Sequence, residues 1–205
     1  PQTIGGFSVY LHFKEESVPY MNYNFFGYNT NTPWGCEQYD EITWPKGYLY
    51  MHICDTLRQQ YARAGVILSY MKAEEFEQWK DTMIGHRGVD YEQFVRTRAL
   101  CLIESLDKQF PGIKDCIAHF YVSSPLTYRD YTGTEGGSIY GVARDIALGA
   151  AGRVPYKIRI PNVFMAGQNV NSHGMLGVIV GSIVTCGELL TPEYLYEQIL
   201  ESNLF

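Results

Sequence analysis

An apolar run that ends in glycine and precedes a glycine-spaced helix constrains this 205-residue chain more than any other feature. The run is 162–168, and the helix after it carries Gly174, Gly177 and Gly181. A helix N-terminus leaves backbone N–H groups unpaired and partly positive, and glycine has no side chain to keep a flat ring away. The segment predicts a strand-turn-helix whose helix N-terminus approaches an anion or an electron-rich carbonyl. Close packing of two helices on the glycines is the alternative.

Two further motifs lie upstream in a fixed order. Residues 124–127 read Ser-Pro-Leu-Thr, and 136–141 read Gly-Gly-Ser-Ile-Tyr-Gly. With the run at 162–168, they resemble the end of the flavin-dependent phytoene desaturase-like family, most closely its retinol saturase and carotenoid isomerase branch. The resemblance is sharp over 124–190 and diffuse before it.

The resemblance implies that the last strand and helix complete an FAD-binding domain, with the helix N-terminus facing the flavin. It places Gly167 and Gln168 near the ribityl or pyrophosphate part of FAD, and His173 beside the ring without an acid or base role. Along the pyrimidine edge of the isoalloxazine it places Gly174, Met175, Leu176, Gly177 and Val178. A helix N-terminus there would stabilise the negative charge of a reduced flavin.

The implied activity is that of an FAD-dependent oxidoreductase acting on carbon-carbon double bonds of a polyene, a retinoid, a carotenoid or another long apolar substrate. Saturation, desaturation and isomerisation all fit this chemistry, and a nicotinamide donor, NAD(P), is compatible but not indicated. Arg129, Tyr131 and Tyr140 are the expected substrate-facing residues, with a structural Arg129–Asp130 ion pair as the alternative. No side chain is assigned a catalytic role, because the flavin carries the reaction.

A flavoprotein of this kind binds the ADP half of FAD with a G-x-G-x-x-G turn between a strand and a helix. That pattern does not occur in the 205 residues. We therefore expect the chain to be the C-terminal part of a longer polypeptide, whose missing N-terminal part is its partner. We also expect the isolated chain to be inactive and to bind FAD poorly.

Aromatic residues are concentrated in 20–50, where many of the seventeen tyrosines alternate with polar residues. This alternation predicts strands with one packed and one wet face. An ordinary amphipathic sheet is one interpretation. The other, which the resemblance favours, is a sheet that lines a pocket for a long apolar ligand.

Hydrophobic periodicity gives the remaining elements. It predicts strands at 4–14, 20–28, 48–54, 64–70 and 116–122, and helices at 73–82 and 90–110. We expect an α+β fold in which a mixed sheet with flanking helices forms the substrate domain, over 1–122. Over 123–205 we expect a segment that returns to an incomplete Rossmann-like FAD domain.

Composition limits the partners of the chain. A net charge of −6 without clustered Lys and Arg argues against nucleic acid. The longest uncharged apolar stretch, 175–184, is too short to cross a bilayer. We expect a cytoplasmic protein, with peripheral membrane contact left open.

The histidines and cysteines do not form a metal site in the sequence. The five cysteines, at 36, 54, 101, 116 and 186, include no C-x-x-C pair, and we expect reduced thiols. His52 and His119 have no second ligand at metal spacing, so we expect partly buried structural histidines and no metal.

Two other functions are compatible with parts of the sequence. A flavin amine oxidase shares the overall plan, but its final motif is rich in glycine and acid, whereas here Gly167 is followed by Gln168 and Asn169. The other is a non-enzymatic module in which the aromatic sheet alone binds an apolar ligand or partner.

Overall fold

The computed structural model describes residues 2–53, 60–170 and 172–202, which form two compact units. Ile4–Ile139 make up the first, here called the sheet unit. The chain from Tyr140 onward, with the residues before Ile4, makes up the second, here called the C-terminal unit. Cys54, at the end of a predicted strand, lies outside the described residues. The other cysteines, Cys36, Cys101, Cys116 and Cys186, are free thiols, as expected.

One five-stranded sheet organises the sheet unit and confirms the α+β class. Its strands are β1 (Gly5–Phe13), β2 (Phe25–Tyr28), β3 (Gly47–Ile53), β4 (Ala64–Met71) and β5 (Ile117–Ser123). Their order is β2-β3-β4-β1-β5, and all four pairings between them are antiparallel rather than mixed. The crossover through helix α1 (Val89–Gln109) joins β4 to β5, which run in the same direction. Because β1 lies between those two strands, no neighbours among these strands are parallel.

The core of the sheet unit lies between one face of the sheet and α1. Strand β1 alternates, so Phe7, Val9 and Leu11 are buried on this core face. Helix α1 buries residues three and four positions apart, which is the spacing of one helix face. These residues include Tyr91, Val95, Ala99, Leu102 and Leu106. The predicted helix at 90–110 is therefore confirmed within one residue at each end.

Two predicted elements differ from the expectation, one in its type of helix and the other in its length. The helix expected at 73–82 is a 3-10 helix, Ala73–Trp79. Phe76 and Trp79 are both buried. They are three residues apart, and residues at that spacing lie on the same side of a 3-10 helix. Of the strand expected at 20–28 only β2 forms, because the chain before it makes a single bridge between Pro19 and Tyr61.

The C-terminal unit is largely helical. A 3-10 helix covers Ile146–Gly152, and α3 (Gly174–Leu189) begins where the glycine spacing predicts a helix. The strand expected at 162–168 is reduced to one bridge, Lys157 to Phe164. Asn162 has a positive φ of 61° and Gly167 one of 97°, and both values interrupt an extended ladder.

A last helix, α4 (Pro192–Glu201), follows α3 in the same unit. Thr191 caps it, since its hydroxyl accepts the N–H of Tyr194 at 3.2 Å. Within the described residues, no helix combines the length and the apolar character needed to cross a membrane.

We predict that Leu102→Ala lowers the free energy of unfolding of the sheet unit by about 2 to 5 kcal/mol, because it leaves a cavity in the core. Leu102 is 0% exposed, whereas Leu100 on the same helix is 39% exposed. Leu100→Ala, the control, should cost less than about 1 kcal/mol. Urea unfolding followed by tryptophan fluorescence measures both, since all three tryptophans lie in this unit. Equal losses in the two variants would contradict the assigned core face.

Candidate functional site

The eight residues predicted to bind a cofactor lie in one segment of the C-terminal unit. Gly167 and Gln168 begin a turn that is closed by the N–H of Val170, which donates to the Gly167 carbonyl at 3.1 Å. The Val170 side chain is buried and anchors the turn. His173 immediately precedes α3, and residues 174–178 form the start of that helix.

The glycines of this segment have two different surroundings: two face open space, and a third is in close contact with the chain before α3. Gly167 and Gly174 have positive φ values of 97° and 77°, and a Cβ on either would meet nothing within 4 Å. Gly177 differs, because its Cβ would lie 2.6 Å from the Cβ of Ser172. The chain before α3 therefore folds back onto the start of the helix at Gly177, while no atom of the described residues fills the space beside Gly167 and Gly174.

The start of α3 keeps its electrostatic character. Its first turn carries no acidic residue, and the His173 side chain does not cap it. The partial positive charge of the helix N-terminus is therefore not offset within that turn. Backbone donors, open space at glycine and the lack of an acidic side chain fit the electron-rich edge of a ring such as that of a flavin.

The two glycine motifs of the sequence meet in the C-terminal unit. Gly141, with a φ of 76°, lies so close to Asn169 that a Cβ would be 2.0 Å from its Oδ1. That oxygen accepts the N–H of Val142 at 3.0 Å, so it ties the turn at 167–170 to the chain after Tyr140. The sequence analysis missed Asn169, although it directly follows the Gly-Gln pair.

Tyr140 lies beside the predicted cofactor residues. Its ring centroid is 4.4 Å from that of His173, with the planes inclined by 43°. This contact orients the imidazole at the start of α3. Of the three residues predicted to face the substrate, Tyr140 belongs to the same unit as this segment.

Arg129 and Tyr131 belong to the sheet unit, on α2 (Pro125–Thr132). The Arg129 guanidinium lies 2.8 Å from Oδ1 of Asp130 and donates to the carbonyl of Lys80 at 2.7 Å. Asp130 also pairs with Arg87. Arg129 thus occupies the structural ion pair that the sequence analysis gave as its alternative, whereas Tyr131 is exposed.

The Ser-Pro-Leu-Thr motif is the start of α2. The Ser124 hydroxyl accepts the N–H of Thr127 at 3.4 Å, and Pro125 occupies the first turn. The Tyr91 hydroxyl lies 2.8 Å from that of Ser124 and ties the helix start to α1. The physical role of this motif is to position α2 against the sheet.

The face of the sheet opposite α1, here called the outer face, carries apolar and aromatic residues in rows across the strands. The register makes one row of Tyr121, Tyr10, Val66 and Met51, and the next of Ser8, Leu68, Leu49 and Phe26. Tyr10, Tyr121 and Phe26 are exposed. This face offers a largely apolar surface to a ligand or to another part of a protein.

The two ends of the outer face differ. At one end the Tyr128 hydroxyl of α2 lies 2.7 Å from that of Ser8, and burial raises the pKa of Tyr128 to about 12. At the other end the rings of His12 and His119 stack with centroids 4.4 Å apart. His119 is exposed, so the expectation of a partly buried ring was wrong, because β5 is an edge strand.

Comparison with characterised proteins identifies relatives that share this sequence. The chain is 28% identical over 133 residues to an all-trans-retinol 13,14-reductase of Danio rerio, a match that covers 63% of this chain and 22% of the relative. Those of Rattus norvegicus and Homo sapiens are 29% and 26% identical over 129 residues, which is 62% of this chain and 21% of each relative. The chain is related to the retinol saturases. The resemblance read from its motifs is thereby confirmed.

The match to the retinol saturases is partial. The chain spans about a fifth of the length of the relatives it matches. No family model matches the chain.

We predict opposite effects of alanine at two glycines of α3. Gly177→Ala should destabilise the start of α3 by about 1 to 3 kcal/mol, because the new Cβ displaces Ser172. Gly181→Ala should stabilise the helix by up to about 1 kcal/mol, because a Cβ there meets nothing within 4 Å and alanine is the better helix former.

Hydrogen exchange of α3 peptides, measured by mass spectrometry, separates the two effects. Faster exchange is expected in Gly177→Ala and slower exchange in Gly181→Ala. Equal protection of the helix start in both variants would show that Ser172 does not pack on Gly177.

Proposed function

We propose that the polypeptide containing this chain is an FAD-dependent oxidoreductase that saturates a carbon-carbon double bond of a retinoid or a similar polyene. The observation that carries the proposal is the glycine-bordered start of α3, which the His173 side chain does not cap, in a chain related to all-trans-retinol 13,14-reductases. Among the reactions compatible with the sequence, the names of these relatives favour saturation over desaturation or isomerisation.

In this proposal the C-terminal unit holds one end of the flavin. Gly167 and Gln168 would lie against its ribityl or pyrophosphate part, and residues 174–178 would lie along the pyrimidine edge, with the N–H groups of the first helical turn as the donors. When bound, FAD supplies the hydride, with a nicotinamide or another donor as the source of electrons. The helix N-terminus favours the reduced, more negative state, because its partial positive charge faces the charged edge. Tyr140 keeps the His173 ring in position beside it.

The surface of α3 supports a second part of the proposal, namely that the rest of the same polypeptide covers this helix. Residues 174–187 include no charged side chain. Met175 is 83% exposed and Leu176 is 75% exposed, and Ile179 and Ile183 are exposed as well. A helix that is apolar all round is ordinarily a buried one.

The outer face of the sheet is the proposed wall for the substrate. Its aromatic residues, Tyr10, Tyr121 and Phe26, offer ring faces and edges to a conjugated chain. Tyr131, which is exposed, remains a proposed substrate neighbour. Arg129 lies on the same helix and is kept as a second one, although its guanidinium is engaged by Asp130. No acid or base is required of either residue.

Two other functions have less support. A flavin amine oxidase is disfavoured because the relatives named above are reductases of a polyene alcohol. A non-enzymatic module is favoured by one observation, which is that Tyr10, Tyr121 and Phe26 of the outer face are exposed.

The test of the function uses the complete polypeptide that contains this chain. We expect flavin to copurify with it, and we expect all-trans-retinol to gain two hydrogen atoms when the flavin is chemically reduced, as seen by mass spectrometry. The 205-residue chain alone should hold no flavin and give no product. Protein that binds retinol but has neither flavin nor turnover would favour the non-enzymatic module instead.

A charge placed at the start of α3 tests the electrostatic role. Met175→Glu should lower the reduction potential of the bound flavin by about 10 to 40 mV, which corresponds to roughly 0.5 to 2 kcal/mol of lost stabilisation of the reduced state. Met175→Gln has the same size without the charge and should change the potential little. Folding is not expected to suffer, since a carboxylate at a helix N-terminus stabilises the helix. Equal potentials in the two variants would contradict contact between this helix start and the flavin.

A further inference from the structure

Strand β5 is an edge of the sheet, and on one side it has no neighbouring strand among the described residues. It is seven residues long, whereas β2 at the opposite edge has four. It contains no proline and no Lys, Arg, Asp or Glu. Prolines, charges and shortness are features by which proteins keep an exposed edge from pairing with another strand. Because β5 has none of these three features, its edge is open to a further strand.

The register shows which backbone groups of β5 point to that edge. The N–H of Phe13 donates to the carbonyl of Arg63, just before β4. Hydrogen-bonding direction alternates along a strand, so Tyr10 of β1 faces β5, where its partner is Tyr121. The residues on either side of Tyr121 therefore direct their N–H and C=O groups away from β1: Phe120 and Val122. Within the described part of the chain, these groups have no backbone partner.

Two depressions lie along this edge, between β5 and α1. The larger, of about 740 Å³, is bounded by Val89 of α1 and Tyr131 of α2, and the smaller, of about 320 Å³, by Leu100 and Ile117. Each is also lined by consecutive residues of β5, whose side chains point to opposite faces of the sheet. Contact with both faces of a strand places the two depressions along its edge. Together they are here called the edge groove.

Arg96 of α1 lies where the two depressions meet, because it lines both. Its guanidinium is over the Phe120 ring, 5.4 Å from the centroid. A guanidinium has five N–H donors, yet among the described residues Arg96 has no hydrogen-bond acceptor and no ion-pair partner. Arg98, by contrast, is paired with Glu75 at 2.9 Å. The donors of Arg96 are therefore free to bind a carboxylate that enters the edge groove.

The other charges of the edge groove limit what an added strand can carry. Arg87 and Lys114 are already engaged in ion pairs. Glu92 lines the larger depression and disfavours a carboxylate there. One carboxylate opposite Arg96, with an apolar side chain in each depression, matches this arrangement. Since alternate residues of a strand share a face, the matching sequence pattern is apolar-x-acidic-x-apolar.

We propose that an extended segment of this pattern, from the rest of the same polypeptide, adds a strand to β5 and fills the edge groove. Backbone hydrogen bonds to Phe120 and Val122 provide affinity, and the carboxylate on Arg96 fixes the register. This chain matches only about a fifth of the length of its relatives. A segment in the same polypeptide has a high effective concentration, which favours it over a separate partner. The inference rests on the proposed longer polypeptide, but not on its flavin or its reaction.

Amide hydrogen exchange of β5 tests the added strand. In the 205-residue chain the N–H groups of Phe120 and Val122 should exchange quickly, because they have no acceptor. In the complete polypeptide we expect both to exchange at least about tenfold more slowly. Tyr121, whose N–H belongs to the ladder with β1, is the internal control and should be protected in both proteins. Mass spectrometry with electron-transfer fragmentation resolves the individual amides.

Arg96→Gln in the complete polypeptide tests the carboxylate. Loss of the charge-assisted hydrogen bond weakens the added strand, so exchange at Phe120 and Val122 should become about tenfold faster. Lys108→Gln is the matched control, because it removes a positive charge from the same helix at a residue that does not line the edge groove. It should leave both exchange rates unchanged.

Three results would overturn the proposal. Fast exchange of both amides in the complete polypeptide would show that no strand is added to β5. Slow exchange already in the 205-residue chain, together with a dimer in analytical ultracentrifugation, would assign the edge to a second copy. Equal rates in Arg96→Gln and Lys108→Gln would remove the carboxylate. None of these measurements involves flavin or retinol, so their failure is distinct from failure of the proposed reductase function.

Discussion

The sheet unit depends on a backbone crossing that only glycine permits. A Cβ on Gly137, which has a φ of 63°, would lie 1.9 Å from the carbonyl oxygen of Pro125. A Cβ on Gly5, at the start of β1, would lie 2.8 Å from the Met71 carbonyl and 2.9 Å from that of Gly136. These contacts hold α2 and the glycine motif after it against strand β1. The motifs that carry the family resemblance in this unit are therefore packing devices, and they fix where α2 meets the outer face.

Local periodicity predicted the elements whose stabilising contacts repeat along the chain. Strand β1 and helix α1 were found within about a residue because alternation and three-to-four spacing are present in the residues themselves. The segment at 162–168 is equally apolar, yet a strand also needs a neighbour and a continuous extended backbone. Positive φ at Asn162 and Gly167 removes the second condition, and no spacing in the sequence reports φ.

The candidate sites divide in the same way. The glycines near α3 were recognisable because glycine alone tolerates their backbone and leaves a helix start bare. The contact of Asn169 with Gly141 joins residues 28 positions apart, as the hydrogen bond from Val142 confirms at 3.0 Å. From the sequence, Arg129 could either face the substrate or form a structural ion pair, and in the structure it forms the ion pair with Asp130.

The partial positive charge at the start of α3 and the covering of this helix by other residues depend on each other. A helix N-terminus in water is weakly effective, because solvent screens its partial charge, whereas in a dry site the same dipole acts strongly on a neighbouring charge. The apolar side chains at Met175 and Leu176 lie in the turn that carries that partial charge. Whatever covers them also excludes water from the N–H groups. In the proposed flavoprotein, a flavin at this helix start would gain its full electrostatic stabilisation only where a covering part of the polypeptide excludes water, so that docking of that part and competence for reduction would come together.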